Sequence, residues 1–594
     1  MKISRQLFPT RSFIVNALLL GLISFLPLVL FLRPGWQFGS DWLPNVWLVA
    51  YFGEFFKSHL CFPEVINTEQ LSGMPFPVFY GFLAYPFLGL LRLGMEPAIA
   101  VRVAIAAVFL LQSWQVFRLL FQISGDRILG FVVAAVTCWS TYALTNLYNR
   151  GAVMELIAVA LLTSAICSLC RACLLPPDRR RWPDVAIGML FFVFAAGTHA
   201  ITALFGGLFV AFLLFTLLTF AERRLELVRW LAIGGVAAFL VLSPWAYAVL
   251  KFGSSLQVSK VHLKEITYLS IDTAASRLMP IPYDIRVAKN PKLPADRTPF
   301  LDAQITAGLL ILALFFSDSA FFMYRRGAPL NRAGVWLTFL FWALFLFLFA
   351  LSVTPALGAA MPALFHNLQF AYRLVSYLNL CLLIIITGSL AATPGAELTL
   401  PLAMRRGWVL AVTLGVAVLG LAIKLGHGTA STFPAPAFTG AQALYLPPAF
   451  YGSNDYAIIE SPLSSVSTGS ILRLPVGRAS SYGLVRSAKF QCEKSEYVRI
   501  CVQPFPWNEV WVNGRSAISN GALQSASGII VPLEAGQHEI KYTWRPARTW
   551  VWLNRISRGT LLIWIGFVLA LSTRSLRRDL MSRLASALSP ARDT

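Results

Sequence analysis

The sequence predicts an all-α polytopic membrane protein of about twelve transmembrane helices, with a small β-domain before the last of them. Three observations carry this. Of 594 residues, 57% are hydrophobic and only 13% charged, too few charges to clothe a soluble chain of this length. The apolar residues gather in runs near or above ~18, the length that crosses a bilayer core. One block, residues 426–550, breaks that pattern with strand-like alternation and turn signals. The runs are helix-length, without the repeated ~10-residue alternation of an outer-membrane barrel.

The elements follow in order. The opening MKISRQLFPTR and the run after it resemble a signal peptide. The run is too long and no small-x-small site ends it, so residues 13–32 are expected to stay as the first span. Further spans are expected near 97–120, 128–147, 151–173, 184–199, 201–221, 230–250, 302–322, 333–352, 370–392, 407–425 and 551–572. The segment 75–94 is apolar too, but Pro75, Pro77 and Pro86 interrupt a helix there. It is expected to be re-entrant or interfacial.

Charge orients the chain. The net charge of +22 comes from 49 Lys and Arg against 27 Asp and Glu. Nucleic-acid binding would also favour such an excess, but the basic residues sit in short connections between apolar runs, as the positive-inside rule requires. Lys2, Arg5, Arg11, Arg179 to Arg181, Arg223, Arg224, Arg325, Arg326, Arg405, Arg406, Arg574, Arg577 and Arg578 all fall on one side if 75–94 does not cross. That side is expected to be the cytoplasm, with both termini on it. Residues 33–96, 251–301, 353–369 and 426–550 then face outward. Three units result: a transmembrane domain over 1–425, a β-rich outer domain over 426–550, and a last span with a basic tail over 551–594. In the β-domain, VWVNGRSAI carries an Asn-Gly turn, and GIIVPLEAGQHEIKYTW reads as two strands joined at EAGQ.

Eight cysteines are scattered. Cys167, Cys170 and Cys173 lack a partner pair elsewhere and read as small buried thiols, not a metal site. Cys492 and Cys501 flank EKSEYVRI, and in an oxidising outer compartment they are expected to join across a hairpin.

Polar residues collect on the outer side. Asp41, in GSDWLPNVW, is the first acidic residue of the chain. It stands just before WLPNVWLVAYFGEFFKSHL, read as an amphipathic surface helix carrying Glu54, Lys57 and His59. Glu64, Gly73 and Tyr80 follow in CFPEVINTEQLSGMPFPVFYG. Arg150 and Glu155 bracket the start of a span in YNRGAVMEL. An ionisable Glu155 inside an apolar helix faces a partner or a hydrated cavity. Its spacing of five from Arg150 is poor for one helix face and favours contacts elsewhere. His199, in GTHAIT, sits at the tip of a tight helical hairpin, where a packing or capping role is the more common one. Arg373, in LQFAYRL, enters a span at its outer end, where it either snorkels or holds a phosphate. For Asp41 the competing role is capping the helix that follows.

The order GSDWLPNVW, PEVINTEQLSGMPFPVFYGFLAYP, LYNRGAVMEL, GTHAIT, LQFAYRL resembles the GT-C superfamily of integral membrane glycosyltransferases. More closely, it is similar to YfhO-like bacterial membrane proteins and to those labelled 6-pyruvoyl-tetrahydropterin synthase-related. Nothing in the chain points to a soluble pterin enzyme or its zinc-binding histidines. The ending, PFPWNEVWVNGRSAI with PLEAGQHEIKYTWRP, resembles the C-terminal β-domain of the YfhO-like group. Relatives often carry a polar or His residue shortly after the first-loop Asp, where this chain has Pro44 and Asn45.

The resemblance implies a GT-C-like fold in a bacterial cytoplasmic (inner) membrane, with the active site facing the periplasm. It implies inverting transfer of a sugar from a polyprenyl-phosphate donor to an envelope lipid, polysaccharide or protein acceptor. Asp41 would be the catalytic base. His59, Glu64, Tyr80, Arg150, Glu155, His199 and Arg373 would contact substrates, with the arginines on the leaving phosphate. No cofactor is expected; some members of the superfamily use a divalent metal, and no acidic pair adjoins Asp41 to demand one. Two other classes compete: a transporter or flippase of lipid-linked glycan, which an internal repeat with broken helices at mid-membrane would favour, and a non-catalytic membrane scaffold acting through the β-domain.

Overall fold

The computed structural model describes residues 10–33, 36–38, 41–68, 71–175, 182–220, 224–256, 305–327, 330–362, 365, 368, 371–393, 400–430, 432–434, 457–458, 469–474, 485–518, 522–525 and 528–588. Most of the outer loop expected over 251–301, the Arg179 to Arg181 run, and Lys2 and Arg5 lie outside the described residues.

The helices are α1 (Thr10–Phe25), α2 (Trp42–His59), α3 (Phe76–Phe79), α4 (Ala84–Arg92), α5 (Pro97–Ser124), α6 (Arg127–Cys138), α7 (Thr141–Leu144), α8 (Val153–Leu174), α9 (Trp182–Thr198), α10 (Ala200–Phe220), α11 (Arg224–Phe252), α12 (Ala307–Arg325), α13 (Arg332–Val353), α14 (Pro355–Ala360), α15 (Leu374–Ala392), α16 (Leu400–Ala430) and α17 (Arg548–Leu588). Local chemistry sets their ends. Pro97 opens α5, where its missing N–H costs nothing, and Gly125 at φ +72° closes it. Asp126 caps α6 by accepting from the amides of Ile128 at 2.8 Å and Leu129 at 3.2 Å.

Among the described residues, ten helices are long and apolar enough to cross a membrane, or eleven if the bent pair α6–α7 is one span. The remaining expected span, near 184–199, is the shorter apolar helix α9. Within 75–94 the structure has only α3 and α4, of four and nine residues. At about 1.5 Å per residue neither reaches across a bilayer core.

Two helices form the centre of the bundle. In α8 and in the span ending with α15, 89% and 94% of the apolar window is buried, against 50% or less in the other spans. Both start at the same end of the bundle, α8 just before Glu155 and α15 just after Arg373. The opposite end carries acid–base pairs: Arg171 with Asp184 at 2.9 Å, Arg405 with Asp318 at 3.3 Å, and Arg406 with Asp126.

The helix after Asp41 differs from its expected one-faced character. From Trp42 to Gly53 it is buried at every position but Leu43, because α4 packs against it. Gly53 and Gly89 allow the approach: a Cβ on Gly53 would lie 2.4 Å from Arg92, and one on Gly89 2.9 Å from Phe52. Only the last turn, with Lys57 and Ser58, is exposed.

The β-domain contains two four-stranded sheets. One has the order β4 (Val485–Cys492), β10 (Gly536–Trp544), β6 (Asn508–Val512), β7 (Arg515–Ser516). The other has the order β3 (Ser470–Leu472), β5 (Glu496–Ile500), β9 (Gly528–Leu533), β8 (Leu523–Ser525). Strands of both sheets share one apolar core, including Val498, Ile500, Val531, Val512 and Ile540. A further short pair, β1 (Trp36–Phe38) with β2 (Thr432–Pro434), ties the segment between α1 and α2 to the end of α16. The Asn-Gly signal is a tight turn: Asn513 at φ +51° and Gly514 at φ +78° join β6 to β7. The strands flanking EAGQ form as well, but β9 pairs with β5 and β10 with β4, so the connection crosses between sheets and is not a hairpin.

The same crossing corrects the cysteine expectation. Cys492 and Cys501 are both free thiols. β4 and β5 do not pair with each other, so the two residues are not opposed across a ladder. The Cys492 thiol instead donates to the carbonyl of Lys494 at 3.1 Å.

Candidate active site

Chain geometry, not helix periodicity, builds the site. After α7 the chain widens into a π-turn over Thr145–Arg150, then reverses at Gly151, φ +69°, before α8 begins. Arg150 and Glu155 therefore lie on different elements, and the rule against pairing at a spacing of five does not apply. Arg150 Nη1 meets Glu155 Oε2 at 3.0 Å, overturning the expectation that each would seek other partners. Arg150 also donates to Asn146 Oδ1 at 2.7 Å. Tyr142 and Asn146 donate to Glu155 Oε1 at 2.9 and 3.2 Å. From the turn just before α15, Arg373 Nε approaches Glu155 Oε2 at 3.5 Å. One buried carboxylate thus holds two guanidiniums, and the Tyr372 ring lies 5.3 Å from the Arg150 guanidinium.

Asp41 stands at the mouth of this cluster. Its amide donates to the carbonyl of Arg150 at 2.8 Å. Asn45 binds the Asp41 carbonyl at 2.6 Å and is itself held by the Tyr85 hydroxyl at 2.8 Å. Asp41 is exposed, and its side chain makes no capping hydrogen bond to α2. The capping alternative therefore lacks its defining contact.

Tyr80 and His199 complete the group. Their rings meet edge to face at 5.7 Å. His199 Nδ1 lies 2.9 Å from Thr202 Oγ1 and accepts from the Thr202 amide at 3.3 Å, so it also caps α10. Burial pushes the Tyr80 phenol up; Arg373 and Arg150 pull it down, while Glu155 and Asp41 add to the rise. A small cavity of about 40 Å³ lies among the helices, lined by Gln112, Ser140 and Asn379 and sharing Tyr142 and Asn146 with the cluster.

Two expected residues lie elsewhere. His59 ends α2, eighteen residues on from Asp41, with its ring 4.5 Å from Phe55. At about 1.5 Å per residue that is some 27 Å from Asp41. Glu64 faces Arg558, Trp544 and Arg555 at the base of the β-domain, and burial pushes its carboxyl up against the pull of those arginines. Sequence reasoning missed Tyr142, Asn146, Tyr372 and Lys424. Tyr142, Asn146 and Arg150 recur every four residues in an apolar run, a visible polar stripe. Lys424 is buried in the apolar α16 and donates to Thr145 Oγ1 at 2.9 Å, at the start of the π-turn.

Glu155 spends its oxygens on Arg150, Arg373, Tyr142 and Asn146. Among the described residues no three His, Cys, Asp or Glu side chains come together as a metal site.

No protein-family model matches the chain, and no curated protein matches it. Among solved structures, it is similar to a mycobacterial arabinofuranosyltransferase, AftD, at 15% identity with a TM-score of 0.42. The match covers 69% of this chain and 27% of that one, so this chain spans about a quarter of that protein's length.

Proposed function

We propose that the protein transfers a sugar from a polyprenyl-phosphate donor to an envelope acceptor on the periplasmic side of a bacterial inner membrane, with inversion, as the YfhO-like resemblance implies. The observation that carries this is the placement of an exposed carboxylate one main-chain hydrogen bond from a fixed pair of guanidiniums. Asp41 takes the proton from an acceptor hydroxyl. That oxygen bonds to the anomeric carbon as the bond from that carbon to the phosphate oxygen breaks. The departing phosphate gains a negative charge, which Arg373 and Arg150 stabilise. Glu155 does not react; it holds both arginines at their positions before the donor arrives. Without Asp41, the two arginines and Glu155 leave one positive charge, matched to a phosphodiester.

The test compares envelope glycans by mass spectrometry in wild type, a deletion, and the deletion carrying Asp41→Asn at matched protein level. Loss of a sugar in the deletion that Asp41→Asn does not restore supports the assignment. Restoration by Asp41→Asn removes Asp41 as the base and moves transport or scaffolding ahead.

A further inference from the structure

The β-domain reaches the site through one short stretch, residues 72–80. The Ser72 amide donates to the Cys501 carbonyl at 2.9 Å, and the Gln503 amide returns to the Ser72 carbonyl at 2.8 Å. Arg486 of β4 donates to Ser72 Oγ at 3.2 Å. Asn508 of β6 donates to the Gly73 carbonyl at 2.7 Å, and its own oxygen accepts from Tyr542 at 3.0 Å. Gly73 stands at φ +80°, and a Cβ there would lie 2.5 Å from the Asn508 amide. The grip is close enough to require glycine.

The stretch runs from this grip into the site. On one side the Gly73 amide donates to Asn67 Oδ1 at 2.7 Å, and the Asn67 amide donates to the Tyr51 hydroxyl at 3.1 Å. Tyr51 belongs to α2, the helix that Asp41 precedes. On the other side Phe79 packs edge to face on Phe505 at 5.9 Å, and its carbonyl accepts from Trp245 at 3.0 Å. Tyr80 comes next and lies against His199.

We propose that Asn508 and Ser72 are positioning residues: the β-domain grips residues 72–73 and thereby holds Tyr80 against His199 and, through Asn67 and Tyr51, holds α2, the helix that Asp41 precedes. The β-domain then acts as part of the site's frame. This rests on the Asp41 cluster being the reacting site, but its test reads main-chain motion and not sugar transfer.

The experiment is amide hydrogen exchange on the full chain in lipid nanodiscs, comparing wild type with Asn508→Ala and Ser72→Pro. Exchange is read over 74–80 and, as a control for the β-domain's own fold, over β10. The expected result is exchange about tenfold faster at 74–80 with β10 protection unchanged, and a lower glycan yield at matched protein level. Wild-type exchange at 74–80 in both variants, with β10 intact, overturns the proposal. If Asn508→Ala exposes β10, Ser72→Pro, which lies outside the domain and removes the amide that donates to Cys501, decides by the same comparison. Should wild type itself transfer no sugar, the function proposed above fails while the exchange result still decides this one.

Discussion

The amide of Asp41 donates to the carbonyl of Arg150 across 2.8 Å, joining the start of α2 to the turn that carries the buried ion cluster. Because this bond uses main-chain atoms, it survives any change of either side chain. Function at Asp41 can therefore be separated from folding. Asp41→Asn is expected to lower transfer by about 10²–10⁴-fold, the usual worth of a positioned base, with expression and thermal stability unchanged. A melting temperature that falls along with activity would point to a structural role instead.

Glu155 is the group that makes two buried guanidiniums tolerable. Glu155→Gln removes the buried carboxylate that Arg150 and Arg373 both face, and breaking a buried pair costs about 3–5 kcal/mol. Denaturation in detergent should show that loss. Arg373→Gln should destabilise far less, since Arg373 contacts Glu155 only at 3.5 Å, yet reduce transfer strongly. Equal stability losses in the two variants would contradict the shared-carboxylate arrangement.

Glu64 makes docking of the β-domain base sensitive to pH. Burial raises its carboxyl pKa in the folded state, so the folded form prefers the protonated acid. The stability that this contributes is present below the ordinary carboxylate range, about 4.3, and is lost as pH rises through the raised folded value. Melting temperature should therefore fall as pH rises across that window in wild type. Glu64→Gln, which stays neutral, should flatten this part of the profile; an identical slope in both proteins would rule Glu64 out as its source.

The free thiols predict indifference to reductant. Cys492 ends β4, Cys501 follows β5 of the other sheet, and the two form no bridge. Wild type, Cys492→Ser and Cys501→Ser should each melt at the same temperature with dithiothreitol as without it. A drop confined to reduced wild type would restore the disulfide, because removing a native one typically costs about 2–5 kcal/mol.

Much of the frame was legible because it rests on composition and local chemistry. Apolar runs marked the spans, prolines marked the break at 75–94, and Asn513–Gly514 marked a turn whose positive φ values few other pairs adopt easily. Asp41, Arg150, Glu155, His199 and Arg373 stood out because charge is costly beside apolar helices. What misled was spacing. Five residues separate Arg150 from Glu155, and helix geometry argues against their meeting. The π-turn and Gly151 reversal place them on two elements, where that geometry has no force. His59 and Glu64 misled in the same way, near Asp41 in sequence but carried off by a straight helix and by the loop after it.

The sequence by itself determined a membrane-spanning helical chain with a β-domain near its end, and a small set of charged residues at one face. These follow from the free energy of placing each residue type in lipid, water or a turn, which depends on the residue and its immediate neighbours. Only the tertiary structure decided which charges share Glu155, which strands share a sheet, and that the β-domain grips Ser72 and Gly73 next to the site. Those relations join residues far apart in the chain. They depend on how whole elements pack, which no local pattern encodes.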